Sequence, residues 1–289
     1  MAKAKEKFAE PWKEFAARWE RYYTPPGRPS EQAINIYKGF VRKAVGGIKR
    51  QPRALVLGST PELRDLLKEL GCRVAIVDIN LEMILAMTEL LEMKNQEEIM
   101  VRGNWISTPL ASHYFDVVLG DIVLSNVPAE SQEQFLKEII RILKPRGYFI
   151  TKMEVIPNDW AREDFDAVLN RYAKIPYHRN RPIELFVHLH NNAWDSQTNI
   201  ISVSKIRKWM EKYRAGQGKY KRPTAKISKY LNDLWEMWRP MDKQWTVKRE
   251  RDIEKQISSH FTILEKRVLN DCYFKEVDQS FPIWLCQVK

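Results

Sequence analysis

Apolar residues recur along this chain with two different periods. Phe8, Trp12, Phe15, Trp19, Tyr22 and Tyr23 fall at steps of three and four, which places them on one face of a helix. Thr24-Pro25-Pro26-Gly27 interrupts that stripe. Ser30 then offers a capping hydroxyl, and Ile34, Tyr37, Val41 and Val45 line one side of a second helix that ends near Gly46-Gly47. From residue 53 the pattern changes to short continuous apolar runs of the kind that form buried parallel strands: Ala54–Gly58, Arg73–Asp78, Glu98–Val101, Phe115–Gly120 and Tyr148–Met153. Between them lie amphipathic stretches. One starts at Thr60, which can serve as N-cap with Pro61 in the first helical position; the others are Leu81–Met93 and Gln134–Leu143, the last stopped by Lys144-Pro145-Arg146-Gly147.

Strands alternating with helices in this way predict an open parallel sheet with helices on both faces. Residues 155–259 depart from the alternation and read as helical at Asp164–Tyr172, Ser204–Tyr213, Ala225–Trp238 and Lys248–Ser258, with Trp194, Trp209, Trp235, Trp238 and Trp245 among them. His260–Leu269 and Pro282–Val288 read as two more strands joined by a tight polar connection around Asn270-Asp271. A short connection joins only antiparallel neighbours, so the sheet is expected to end in an antiparallel hairpin with the last strand at its edge. The expected fold is α/β: a doubly wound, mostly parallel seven-stranded sheet with an antiparallel terminal strand, N-terminal helices, and a helical insertion before the last two strands. The divisions fall at 1–52, an N-terminal helical segment and possible lid; 53–154, the ligand-binding core; 155–259, a basic, Trp-rich insertion; and 260–289, the strands that complete the sheet.

Composition narrows the class. At 289 residues with 44% hydrophobic and 29% charged side chains, the chain matches globular averages. No apolar run approaches the roughly 20 residues of a membrane helix, and MAKAKEKFAE has no apolar core for a secretory signal. Three cysteines (Cys72, Cys272, Cys286) form no CxxC, which argues against a disulfide scaffold or a zinc site. A soluble cytoplasmic protein is the expectation. The net charge of +11 is unevenly spread: residues 1–53 hold 13 Lys and Arg against 5 acids, residues 54–154 hold 10 against 15, and Lys205–Lys229 carries ten basic residues with one acid, Glu211. An acidic middle with basic flanks suits either a solvated surface or an anionic partner.

Ligands of an open parallel sheet bind at the carboxyl ends of its strands. Gly58-Ser59-Thr60 closes the first strand and opens a helix N-terminus. Asp78 ends the second, 20 residues after Gly58, where a carboxylate can grip ribose hydroxyls. Gly103-Asn104-Trp105 follows the third, and Gly120-Asp121 ends the fourth. A nucleoside-containing cofactor is expected. The turn Gly58-Ser-Thr-Pro-Glu62 lacks GxGxxG and sets a carboxylate where a diphosphate would lie, which disfavours a dinucleotide; a sulfonium cofactor with no phosphate tolerates it.

ALVLGSTPE, VAIVDIN, RGNWISTPL, FDVVLGDIVLSNVP and EIIRILKPRGYFI resemble the successive motifs of class I S-adenosylmethionine-dependent methyltransferases. The resemblance covers residues 53–154, extends loosely to 260–289 and leaves out 155–259. It implies S-adenosyl-L-methionine as cofactor, with Gly58 and Ser59 along its methionine and ribose, Asp78 on the ribose hydroxyls, and Ile79 against the adenine. Asn104 would bond the adenine amino group, Trp105 would stack beside it, and Gly120 and Asp121 would line the methionine end. The family's usual acidic residue two before the first glycine is Val56 here, and its later glycines are Thr60 and Glu62, so Glu62 or Asp121 would hold the amino group.

Methyl transfer is an in-line displacement that asks the protein to align an acceptor and, where needed, remove a proton. No Asn/Asp-Pro-Pro-aromatic motif follows the fourth strand, no cysteine lies near the strand ends and no acidic cluster stands out. Oxygen, ring-nitrogen or amine acceptors are therefore expected, with no metal. His188 and His190, on one face if Val187–Asn191 is extended, are candidates for a general base or structural histidines, as is Tyr22 for a catalytic group from the N-terminal helices; Arg28 could clamp an acceptor carboxylate or phosphate. Three functions follow: a small-molecule methyltransferase with a lid at 155–259, an RNA or other polyanion methyltransferase using the basic run Lys205–Lys229, and a non-catalytic adenosyl-binding or scaffold relative.

Overall fold

A computed structural model describes residues 23–94, 97–215, 224–238 and 242–289. The aromatic stripe from Phe8 to Tyr22 lies outside the described residues, as do Lys219, Lys221 and Arg222 of the basic run. Helix α1 (Glu31–Val45) begins where Ser30 Oγ accepts the Ala33 N–H at 3.0 Å. Its buried stripe runs through Ala33, Tyr37, Phe40, Val41 and Ala44, rotated slightly from the expected one. Strand β1 (Arg53–Leu57) leads to α2 (Pro61–Glu69), β2 (Arg73–Asp78) to α3 (Leu81–Glu89), and β3 (Glu98–Arg102) to β4 (Phe115–Asp121). Thr60 takes the N-cap position of α2, but its hydroxyl makes no cap bond; Pro61, which has no N–H to satisfy, starts the helix instead. Asn80 caps α3, which ends at Glu89 rather than Met93. Helix α4 (Gln132–Ile142) passes directly into β5 (Leu143–Lys152), and Arg146 at φ 61° sits within β5 where its register with β4 shifts.

The sheet order is β3-β2-β1-β4-β5-β9-β8, with β8 (Phe261–Arg267) and β9 (Ile283–Val288) following the helical region. Strands β1 to β5 pair in parallel, and β9 is antiparallel to both β5 and β8. Two expectations are corrected. The last strand does not sit at the edge; it is inserted between β5 and β8, and β8 forms the edge. The connection is not tight either: it runs from residue 268 to 282 and holds a short helix, Lys275–Gln279, so the antiparallel pairing rests on the ladder and not on a turn.

Strand residues alternate between two cores, as the pleat requires. Val56, Ile76, Leu119 and Leu285 face α1 and α2, whereas Leu55, Val77, Val118 and Cys286 face α4 and the helix Glu250–Ser258. Doubly wound packing is thus written in single-residue alternation. A third apolar cluster lies beyond the carboxyl ends of the strands. It is made by α5 (Phe165–Lys174), α6 (Arg181–Ala193), β6 (Ile200–Ser202), α7 (Val203–Arg214), α8 (Ala225–Trp238) and β7 (Gln244–Thr246), of which β6 and β7 pair with each other. Val187–Asn191 is therefore helical, not extended, and residues two apart on a helix point to different faces. Among the described residues no helix is long and apolar enough to cross a membrane.

Candidate active site

A cavity of about 630 Å³ lies between the carboxyl ends of the strands and the helical cluster, large enough for a cofactor and a small second molecule. Gly58, Ser59, Thr60, Asp78, Ile79, Asn104, Trp105 and Asp121 line it, so eight residues expected at the cofactor meet in one place. Gly120 and Glu62 are not among its lining.

Each of these positions has a local cause. Gly58 turns the chain at φ 89°, a left-handed conformation that a Cβ would strain, and the Trp105 ring packs over it. Trp105 is held there by its Nε1–H, which donates to the Val77 carbonyl at 2.8 Å. Asp78 accepts from Ser59 Oγ at 2.9 Å and from the Asn80 N–H at 2.9 Å. Burial pushes its carboxyl up to about 6, and these donors only partly oppose the shift. Asn104 Oδ1 accepts the Ile106 N–H at 3.2 Å, closing an Asx turn that aims the side chain at the cavity. Ile122, immediately after β4, has φ 56°, costly for a β-branched residue. Its N–H donates to Lys152 O at 3.0 Å, and Asn126 Nδ2 donates to its carbonyl at 2.6 Å.

The candidate amino-group holders have partners already. Asp121 faces Lys152 Nζ at 2.9 Å, both groups buried, and burial pushes the Asp121 carboxyl up against the pull of Lys152 and Arg28. Glu62 accepts from Arg28 Nε at 2.6 Å, which neutralises the acid in the first turn of α2. Arg28 is thus bound to the protein's own carboxylate, in the role the sequence suggested for an acceptor's. Residues 23–30 close one side of the cavity: Tyr23 and Gly27 line it, and Lys152 Nζ donates to Pro26 O at 3.0 Å. Tyr37 binds this region from beneath, donating to Gly120 O and accepting from Lys152 N, both at 2.7 Å.

The two histidines separate. His190 lines the cavity, with Nδ1 at 3.5 Å from Glu154 Oε1. His188 points the other way, among Trp160, Tyr172 and Phe274, with Nε2 at 3.7 Å from Glu163. Burial lowers His188 to about 4 and His190 to about 3, so both rings are neutral and weakly basic at pH 7. Glu163, His188 and Glu276 form a set whose donor atoms lie within 4.8 Å of one another. Arg171 already bridges the two carboxylates, and a cation there would have to displace its guanidinium. Tyr22 lies outside the described residues.

Sequence reasoning missed Glu154, Ser125, Asn126 and Lys243, all of which line the cavity. Glu154 stands two residues beyond β5; burial pushes it up to about 7, while Ser125, Lys243 and Lys152 pull it down. Lys243, just before β7, is lowered to about 8 by burial against the pull of Glu154. Asn126 Oδ1 is buried without a hydrogen-bond partner among the described residues, the Ser125 hydroxyl lies against the Glu154 carboxylate, and His190 Nδ1 makes the 3.5 Å contact with Glu154. Buried polar atoms are almost always fully partnered, so this under-satisfied group of polar side chains around one cavity suits a polar guest. A buried carboxylate at the end of β2, a one-glycine turn and carboxylates near the far end suit a positively charged sulfonium cofactor better than a diphosphate.

Comparison with known proteins agrees on the core. Residues 57–151 match the family model described as a methyltransferase domain. An uncharacterized protein of Haemophilus influenzae is 31% identical over 88 residues, 30% of this chain; the match spans 35% of that relative's length. The N-methyltransferase NodS from Bradyrhizobium japonicum, solved with S-adenosyl-L-homocysteine, superposes with a TM-score of 0.53 at 8% identity, over 97% of this chain and 98% of that one. A protein from Rhodobacter sphaeroides described as a putative Zn-dependent alcohol dehydrogenase gives 0.59 at 12% identity, over 98% of both chains. Likeness at such identities is a likeness of fold alone.

Proposed function

We propose that this chain, whose core belongs to the class I S-adenosylmethionine-dependent methyltransferase superfamily, transfers a methyl group to an oxygen or nitrogen of a small molecule. Its cofactor is S-adenosylmethionine, with Asp78 on the ribose hydroxyls, Ile79, Asn104 and Trp105 around the adenine, and Gly58, Ser59 and Asp121 along the remainder. When bound, the cofactor supplies an electrophilic methyl group whose C–S electron pair leaves with the sulfur. The protein's own contributions are alignment and exclusion of water. Trp105 and Asp78 fix one end of the cavity, residues 23–30 and the helical cluster cover it, and the Asp121–Lys152 pair balances charge beneath it.

The observation that carries the reading is continuity: one cavity joins the Asp78 end to the Glu154 end, so a cofactor and a second small molecule meet inside it. The basic residues of α7 and α8 are not part of its lining. Several are tied to the protein itself, Lys205 to Ala193 O, Lys226 to Ile175 O and Lys229 to the Tyr177 hydroxyl. That favours the small molecule over a polyanion. Calorimetric titration with S-adenosylmethionine, S-adenosylhomocysteine and NAD tests the reading. Micromolar binding of the first two alone is expected; binding of NAD alone, or of none, would refute it.

A further inference from the structure

The end of the cavity away from Asp78 has walls of its own. Phe186 and Trp238 stack at 4.5 Å with 10° between their planes. Trp245 stands edge-on to Trp238 at 5.5 Å and to His190 at 4.7 Å. Rings arranged in this way give a flat guest large dispersion contact and ask for no hydrogen bonds in return. Into this surround comes one buried acid, Glu154, 8% exposed; Asp242, which also lines the cavity, is exposed. Its Oε1 lies 3.5 Å from His190 Nδ1, the Ser125 hydroxyl lies against the carboxylate, and Oε2 is buried with no well-aligned hydrogen bond among the described residues. A buried carboxylate served by one hydroxyl keeps lone pairs for a further donor from outside the chain.

We propose that this end of the cavity holds a planar aromatic or heteroaromatic acceptor bearing a weakly acidic O–H or ring N–H, and that Glu154 Oε2 receives its proton on methylation. The inference rests on the methyltransferase reading above. The acceptor's lone pair forms the new bond to the methyl carbon. The electron pair of its O–H or N–H bond returns to the heteroatom as the proton passes to Oε2, so charge balances without a further reactant.

The surrounding groups agree with that role. Burial sets Glu154 to titrate at about 7, close to the pH at which a base combines ionisation with proton affinity. His190, at about 3, is a poorer acceptor of the same proton. Lys243 and Lys152 face Glu154 with positive charge, and Tyr23 and Asp121 share the same buried cluster. Lys243, at about 8, is cationic at neutral pH and repels an alkylammonium, whereas a neutral ring is unopposed.

The test uses the full chain saturated with S-adenosylhomocysteine, titrated calorimetrically with 2-naphthol and benzimidazole as ring probes and with cyclohexanol and cyclohexylamine as saturated ones. Ring probes are expected to bind about tenfold or more tightly than saturated ones. Their affinity should change with a step near pH 7 in the wild type, and that step should be lost in Glu154→Gln, which keeps only the titration of Lys243. The variant should keep its S-adenosylhomocysteine affinity within about twofold and, with any probe that is methylated, lose about 100-fold or more in rate. Equal or tighter binding of cyclohexylamine, or no binding of either ring probe, overturns the acceptor class. The same pH profile in both proteins overturns the proton assignment. If the wild type fails to bind S-adenosylhomocysteine, the methyltransferase reading falls instead, and that result is read before any probe is added.

Discussion

Asp78 shows how one side chain links geometry to ligand. Ser59 and the Asn80 N–H each donate to it, leaving further lone pairs directed at the cavity. Ribose hydroxyls bond best to the ionised form. Its folded value of about 6 lies above the ordinary 3.8, so ionisation is completed only as pH rises past that point. Affinity for S-adenosylhomocysteine is therefore expected to weaken about tenfold from pH 7.5 to pH 5, and Asp78→Ala to weaken it about 100-fold or more at pH 7.5 with unchanged circular dichroism. A pH-independent affinity in calorimetry would count against this assignment. Asp78 was legible because a strand, a glycine turn and an acid fall at a spacing with a geometric meaning. Glu154 was not, because an acid two residues past a strand has no such spacing; its role arises from burial by residues 186, 238 and 245, remote in sequence.

At the level of elements, α1 is more than a cover for the sheet. The Tyr37 hydroxyl joins the end of β4 to the end of β5 by bonding Gly120 O and Lys152 N, and it is fully buried. Tyr37→Phe leaves two buried backbone groups without that partner and should cost about 1–3 kcal/mol, read as a lower melting temperature. It should also weaken cofactor binding, since Asp121 and Ile122 follow directly. Helices α1, α2 and α4 were readable from the chain because each has one buried and one exposed face. Helix α6 was not. From Pro182 to Ala193 every one of its residues is buried, so no polar side marks a 3.6-residue period, and Val-His-Leu-His mimicked the alternation of a strand. That the strands from β1 to β5 run parallel followed from their alternation with helices. The place of β9 did not, because nothing local tells a strand that it will be an insertion instead of an edge.

For the molecule as a whole, the ligand-free protein carries a stability penalty at its own site. Asp78 and Glu154 both have folded values above their ordinary ones, about 6 and about 7. The stability they contribute is full below about pH 4 and is lost as pH rises through those values. Glu154→Gln should therefore stabilise the ligand-free chain at pH 7.5 by about 2–3 kcal/mol and much less at pH 5, measured by thermal or denaturant unfolding. A variant no more stable at pH 7.5 than the wild type would contradict that accounting. The basic surface is a separate matter: replacing exposed Lys205, Lys208 and Lys212 by Ala should reduce retention on heparin and leave S-adenosylhomocysteine affinity unchanged.

The position of β9 carries one more consequence, for how the molecule is made. A ribosome delivers β5 and β8 before β9, yet in the finished sheet β9 lies between them, with Ile283, Trp284, Leu285 and Cys286 all fully buried. Until it arrives, the nascent chain shows two open strand edges and an apolar slot. Such edges recruit strands from other molecules. A chain cut short before residue 283 should therefore aggregate or be held by chaperones, although every residue lining the cavity would already be present.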